Sequence, residues 1–224
     1  QVYFSTATDA VGGTLLAHKK AGEDGYFLWL AAPGVSAKAA KPVPKDVVLV
    51  LDTSGSMAGA KLEQARKALT FCVENLNDGD RFEILRFATE VEPLFDRLTD
   101  VTAESRGRAR SFVRDLKPIG GTAIDDALRK ALALKPAGER PYVVVFLTDG
   151  LPTVGKTREE DILAGVRELA AGHVRVFCFG LGTDVNTRLL DTVAQDTRAT
   201  SQYVLPEEDI EVKVSGFFSK VKDP

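Results

Sequence analysis

Val47-Val48-Leu49-Val50-Leu51-Asp52-Thr53-Ser54-Gly55-Ser56 is the stretch that decides the fold of this chain of 224 residues. Its five consecutive apolar residues predict a strand that is buried on both faces, as strands of parallel sheets are. A carboxylate and two hydroxyls follow at alternate positions, and a helical pattern begins directly after them. The turn at the end of a core strand therefore carries oxygen atoms that suit a divalent metal ion.

Further strands and helices alternate along most of the chain. Strand-like apolar segments lie at residues 82–87, 91–95, 142–147 and 174–179, with a weaker one at 202–205. Apolar stripes with helical spacing occur in residues 62–76, 127–134, 162–169, 189–193 and 210–221, and charged residues, Lys61 among them, lie on the opposite side of the first. Alternation of this kind predicts parallel crossovers. The expected fold class is α/β, a doubly wound, mostly parallel, Rossmann-like sheet with helices on both faces.

Two segments depart from this alternation. Only Ala88-Thr89-Glu90 separates the strands at 82–87 and 91–95, which is too short for a crossover and predicts a hairpin with one antiparallel edge strand. Residues 26–30 predict a strand ahead of a segment, residues 31–45, that is rich in Ala, Pro and Lys and indicates a linker. We therefore expect a strand-containing extension with its linker over residues 1–44 and a metal-binding domain over residues 45–224.

Two later segments supply more oxygen ligands. Gly120-Gly121-Thr122 precedes a helical pattern, and Thr148-Asp149-Gly150 ends the apolar strand at 142–147. Because the carboxyl ends of parallel strands meet at one edge of a sheet, these loops are expected to converge there. Oxygen donors without imidazole or thiolate favour Mg²⁺ or Mn²⁺, with Ca²⁺ as a further candidate. The candidate metal ligands are Asp52, Ser54, Ser56, Thr122 and Asp149.

These three motifs resemble the metal-ion-dependent adhesion site (MIDAS) of von Willebrand factor type A (VWA) domains, in the same order and with comparable spacing, over about residues 45–222. The resemblance implies Mg²⁺-dependent binding of a protein ligand, whose Asp or Glu completes the metal shell. It implies that Asp52, Ser54 and Ser56 are direct or near-direct ligands and that Thr122 and Asp149 bind directly or through water. In some family members the terminal helix shifts when ligand binds.

A narrower likeness comes from Lys45-Asp46-Val47-Val48-Leu49-Val50-Leu51-Asp52, preceded by Gly25-Tyr26-Phe27-Leu28. It is similar to the A domain of inter-alpha-trypsin inhibitor heavy chains and their bacterial relatives. In those proteins a separate β-rich domain normally comes first. The chain begins at Gln1 without a leader, so we expect it to be part of a larger protein. We expect this part to be a monomer that is extracellular or in the cell envelope, with a cytoplasmic location as the alternative.

Composition and missing motifs argue against other classes of function. The 29 basic residues are dispersed among 32 acidic ones, which gives no basic surface for nucleic acid, and no apolar run is long enough to insert in a membrane. No histidine lies near the three motifs, and no second carboxylate stands two residues after Asp52. We also expect no phosphate loop of the Gly-x-x-x-x-Gly-Lys type. We therefore predict that the domain is not an enzyme. Two alternatives stay open: an interaction subunit of an intracellular ATP-driven assembly and, less favoured, a metal-dependent phosphohydrolase.

Overall fold

The computed structural model describes residues 11–33, 43–170 and 172–222. The chain forms two compact units, residues 1–41 and residues 42–224. The first unit contains an antiparallel pair, β1 (Val11–His18) and β2 (Tyr26–Pro33). Strand β2 contains the strand predicted at residues 26–30, whereas β1 was not predicted. Most of the predicted linker falls on residues 34–42, outside the described residues.

The second unit is built on a seven-stranded mixed sheet. Its strands are β3 (Asp46–Asp52), β4 (Arg81–Phe87), β5 (Val91–Pro93), β6 (Thr99–Asp100), β7 (Tyr142–Thr148), β8 (Val174–Leu181) and β9 (Ser201–Val204). Their order is β5-β4-β3-β7-β8-β9, and β6 pairs with β4 beyond the end of β5. The pairs among β4, β3, β7, β8 and β9 are all parallel. The predicted mostly parallel sheet is confirmed.

In the described residues, α-helices cover the two faces of this sheet: α1 (Ala60–Glu74), α2 (Ala103–Asp115), α3 (Ile124–Ala133), α4 (Glu159–Leu169), α5 (Thr187–Asp196) and α6 (Ile210–Lys222). Alternate residues of β3 point into opposite cores. Val47, Leu49 and Leu51 pack in the core that contains α1, α2 and α6. Val48 and Val50 pack in the core with α3, α4 and α5. This double burial explains the unbroken apolar run with which the fold was predicted.

The antiparallel edge is formed by two short strands rather than by the single strand predicted at 91–95. Just after β5, Leu94 still donates its N–H to the carbonyl of Ile84 on β4, and the buried carboxylate of Glu83 on β4 serves as a further acceptor for the segment that follows. It accepts hydrogen bonds from the backbone N–H groups of Leu94, Phe95 and Arg97. Satisfying these donors with one carboxylate lets the edge strand end early without leaving unpaired amides.

Cys72 and Cys178 are buried free thiols in the two different cores, on opposite sides of the sheet. Burial raises the pKa of each thiol. Both are therefore small core residues. None of the helices in the described residues is long and apolar enough to cross a membrane.

Candidate metal site

The loop after β3 is organised by Asp52, which is fully buried at the carboxyl end of the strand. Its Oδ1 accepts the backbone N–H of Ser54 at 2.7 Å, and its Oδ2 accepts the hydroxyl of Thr148 at 2.6 Å. Burial raises the pKa of Asp52, against the opposing effect of these hydrogen bonds, and the nearby Asp149 adds to the rise. The hydrogen bonds hold this carboxylate in place, but its negative charge is still unfavourable at a buried position. A cation beside it would be favourable.

Ser54, Ser56 and Asp149 form a continuous chain of side-chain oxygens at the same edge. The Oγ atoms of Ser54 and Ser56 are 3.1 Å apart, and the Ser56 hydroxyl donates to Asp149 Oδ1 at 2.7 Å. Asp149 directly follows β7, so two parallel strands supply the two ends of this chain. The predicted convergence of these loops is therefore present in the structure, with Asp52, Ser54, Ser56 and Asp149 brought together.

Thr122 lies in the loop before α3, which contacts the loops that follow β3 and β7. The backbone N–H of Gly55 donates to the carbonyl of Gly120 at 3.1 Å, which ties the loop before α3 to the loop after β3. A Cβ placed on Gly150 would lie 3.7 Å from Thr122 Oγ1, so the hydroxyl faces the residue after Asp149. Thr122 is itself buried. All five sequence-predicted positions thus belong to one cluster of loops.

Lys61, near the start of α1, is an additional member of the site. Its ammonium group donates to Asp149 Oδ2 at 2.7 Å, while Ser56 occupies Oδ1 of the same carboxylate. The side chain of Asp149 is fully buried, whereas that of Lys61 is 38% exposed. Lys61 was expected only on the charged side of α1, and the sequence offers no signal that distinguishes it from its neighbours there.

The donor set fits a small divalent cation. At metal–oxygen distances of about 2.1 Å, neighbouring ligands of an octahedral ion lie about 3.0 Å apart, close to the observed separation of the two serine hydroxyls. The carboxylates of Asp52 and Asp149 would supply the negative charge. In the described part of the chain, no group of three or more His, Cys, Asp or Glu side chains could hold a metal ion. Any metal at this edge therefore depends on hydroxyl ligands.

The loop after β7 spells Gly-x-x-x-x-Gly-Lys-Thr over residues 150–157, the consensus of a phosphate loop, so the expectation that the chain has no such motif is wrong. Its geometry does not suit a phosphate. The N–H groups of Thr153 and Val154 donate to the carbonyl of Thr122 and are not free to cradle an anion. Helix α4 begins only at Glu159, and its first turn carries three acidic residues. The loop instead holds Thr122 in place.

Comparison with known proteins identifies the family of this chain. The family model of the von Willebrand factor type A domain matches residues 45–203, which is most of the chain. The chain belongs to the von Willebrand factor type A domain family. It is 33% identical over 210 residues to human inter-alpha-trypsin inhibitor heavy chain H4 and 30% identical over 209 residues to human heavy chain H3. Each match covers 90% of this VWA chain but only 22% and 23% of the respective relative.

Solved structures support the fold of this VWA chain. A von Willebrand factor type A protein from Catenulispora acidiphila aligns with a TM-score of 0.74 at 19% identity, covering 99% of this chain and 51% of that one. Proximal thread matrix protein 1 from the mussel byssus, in a structure with a zinc-occupied MIDAS motif, aligns with a TM-score of 0.63 at 24% identity. That match covers 81% of this chain and 45% of the mussel chain.

Proposed function

We propose that this VWA domain is a non-enzymatic interaction module that binds a divalent cation through Asp52, Ser54, Ser56, Thr122 and Asp149. A partner protein docks by an acidic side chain that completes the metal shell. The observation that carries the proposal is the chain of oxygens from Ser54 through Ser56 to Asp149, in which successive atoms lie 3.1 and 2.7 Å apart. Mg²⁺ and Mn²⁺ suit this compact set of ligands, and Ca²⁺ is the third candidate.

The charges of the site favour an anionic partner. Asp52 and Asp149 contribute two negative charges, and Lys61 returns one positive charge at 2.7 Å from Asp149. With a divalent ion in place, this group of side chains carries a net charge of about plus one by simple addition. An open coordination position on the bound ion therefore attracts a carboxylate, which the ion binds as a further ligand.

The surroundings of the site suggest the character of the partner surface. Ile119, whose N–H donates to the carbonyl of Thr53, is 60% exposed. Leu151, two residues after Asp149, is 54% exposed. Large apolar side chains next to a polar site favour a partner that buries them. We propose that the docking acid of the partner stands among apolar residues.

Metal binding is tested by thermal melts in chelator and in Mg²⁺, Mn²⁺ or Ca²⁺, because an ion that binds only the folded state raises the melting temperature. The expected result is a rise for the native chain and none for Asp149→Asn, which keeps a carbonyl oxygen as acceptor for Ser56. Asp115→Asn, whose side chain is 68% exposed on α2, is the matched control and should respond to metal as the native chain does. A native chain that melts identically in every condition would contradict the proposed site.

The open coordination position is tested separately with acetate as the simplest carboxylate. Mg²⁺ binding is measured by calorimetry in sodium acetate and in sodium chloride of equal ionic strength. We expect tighter binding in acetate for the native domain and no such difference for Asp149→Asn. Equal affinities in both salts would argue that the ion is structural and receives no ligand.

The proposed location, outside the cytoplasm, rests on the resemblance to the inter-alpha-trypsin inhibitor heavy chains.

A further inference from the structure

A second candidate site lies at the opposite edge of the sheet, where the parallel strands begin. A cavity of about 400 Å³ is lined by the first residues of β7 and β8, by the two residues that follow α5 and by the last turn of α6. Its volume is within the range of small-molecule pockets. Because β3 and β7 are each seven residues long, about 20 Å of strand separate this cavity from the candidate metal site.

The wall of this cavity is apolar and its rim is basic. Val143 and Phe177 line it from the sheet, and Val221 lines it from α6. Three cations, Arg175, Arg198 and Lys220, lie around the same space. A lining of this composition would bury an apolar body while it holds an anionic group near solvent.

The three cations of the rim are not neutralised within the described residues. Their side chains make no hydrogen bond or ion pair with any residue that the structure describes. The fourth basic residue of the lining, Lys45, is already paired with Asp80 at 3.2 Å, and Glu139 is the acidic residue of the lining. In a chain whose net charge is -3, such a local excess of positive charge produces a potential that attracts anions.

Arg198 has an unusual backbone for its residue type. Its φ is +54°, in the left-handed region, and it directly follows Thr197, the C-cap of α5. Glycine is the common residue at that position because a Cβ there is unfavourable. The chain instead places an arginine side chain at the rim of the cavity. A strained residue beside a cavity is an independent reason to examine it as a binding site.

We propose that this cavity binds a small amphiphilic anion, namely a carboxylate with a short alkyl body. The carboxylate pairs with Arg175, Arg198 and Lys220, and the alkyl chain packs against Phe177, Val143 and Val221. Binding therefore needs both parts of the ligand. It is independent of the divalent cation, because no residue of the metal site lines the cavity.

Octanoate is the probe, and binding is followed by protein NMR in chelator. Shift changes are expected at residues 173–177, 198 and 220–221, with a dissociation constant of about 1 mM or tighter. Each methylene added from hexanoate to octanoate should tighten binding by up to about fourfold. Octanol, which lacks the charge, and inorganic phosphate, which lacks the alkyl chain, should each bind at least about fivefold more weakly. Equal binding of octanol or of phosphate would overturn the proposal.

Arg198→Gly is the decisive variant because glycine relieves the left-handed strain, so the fold is expected to persist or become more stable. Its affinity for octanoate should fall at least about fivefold, and Arg175→Gln should show a loss of similar size. Arg114→Gln removes the same charge from an exposed position on α2 and should leave the affinity unchanged. The proposal is wrong if octanoate shifts no resonance at these residues, or if Arg198→Gly and Arg175→Gln bind it as tightly as the native domain does.

Discussion

Replacing Lys61 by methionine tests the electrostatics of the proposed metal site most directly. Methionine keeps an unbranched side chain of similar length and removes the charge that lies 2.7 Å from Asp149 Oδ2. A divalent ion on the opposite side of that carboxylate would stand about 5 Å from the ammonium group. Even in a medium as polarisable as water, the repulsion between these charges is about 1.7 kcal/mol, or more than tenfold in affinity.

In the absence of metal, Lys61→Met is expected to destabilise the domain. Asp149 is fully buried and would lose the cation that neutralises it. We expect a loss of about 1–3 kcal/mol in the free energy of unfolding in chelator, because one partner of a buried charged hydrogen bond is removed. Lys61→Met should therefore bind Mg²⁺ about tenfold more tightly by calorimetry and show a larger rise of melting temperature on adding Mg²⁺.

Two control variants separate charge from shape. Lys61→Arg keeps the positive charge and should retain native Mg²⁺ affinity. Lys67→Met removes an equal charge from the same helix, where the side chain is 66% exposed and 4.0 Å from Glu211, and should change neither affinity nor stability much. If Lys61→Met binds Mg²⁺ no more tightly than the native domain, Lys61 does not oppose the metal and the charge argument is wrong.

Two further predictions concern the loops of the site. Because burial raises the pKa of Asp52 above the ordinary 3.8, the folded state holds the proton more tightly than the unfolded chain, and stability in chelator falls as pH rises through the folded pKa. The free energy of unfolding of Asp52→Asn, relative to that of the native chain, should therefore increase as pH rises from the unfolded to the folded pKa of Asp52 and then level off in urea titrations. A difference that does not change with pH would contradict this. Gly120→Ala should cost about 1–3 kcal/mol in the same assay, because φ is +72° and the added Cβ would collide with Thr89 Oγ1. A variant as stable as the native chain would show that this loop can rearrange freely.

The strands and helices that could be predicted from sequence are those whose pattern of apolar residues directly reflects which faces are buried. Strands β3 and β7 are covered on both faces, so their burial appears directly as continuous apolar residues. Helix α1 buries a single stripe that includes Leu62, Leu69 and Cys72, so its period is visible. The ligand positions follow from the same logic, because a loop after a buried parallel strand must emerge at a known edge.

Helix α2 was missed because it buries little of its own surface. Ala109 and Val113 are its buried apolar residues, too few for a clear stripe among four arginines. Its stabilising contacts are polar instead. Thr102 and Ser105 form a reciprocal cap at its start, and Arg106 donates to the carbonyls of Glu74 and Leu76 at the end of α1. The capping residues were present in the sequence, but Ser105 stands where Glu or Gln would have given the usual signature.

The contact between Lys61 and Asp149 shows why ligand types can be predicted more readily than their electrostatic balance. Lysine on the polar side of a surface helix is most often solvated, and Lys61 shares that side of α1 with Lys67. What distinguishes Lys61 is its position at the start of the helix, where the chain has just left the carboxyl edge of the sheet and Asp149 is within reach. That proximity depends on the order of β3 and β7 as neighbours, which is a property of the sheet rather than of any local segment. The charge balance of the proposed site therefore includes a pairing across 88 residues, which can be recognised only once the strand order is known.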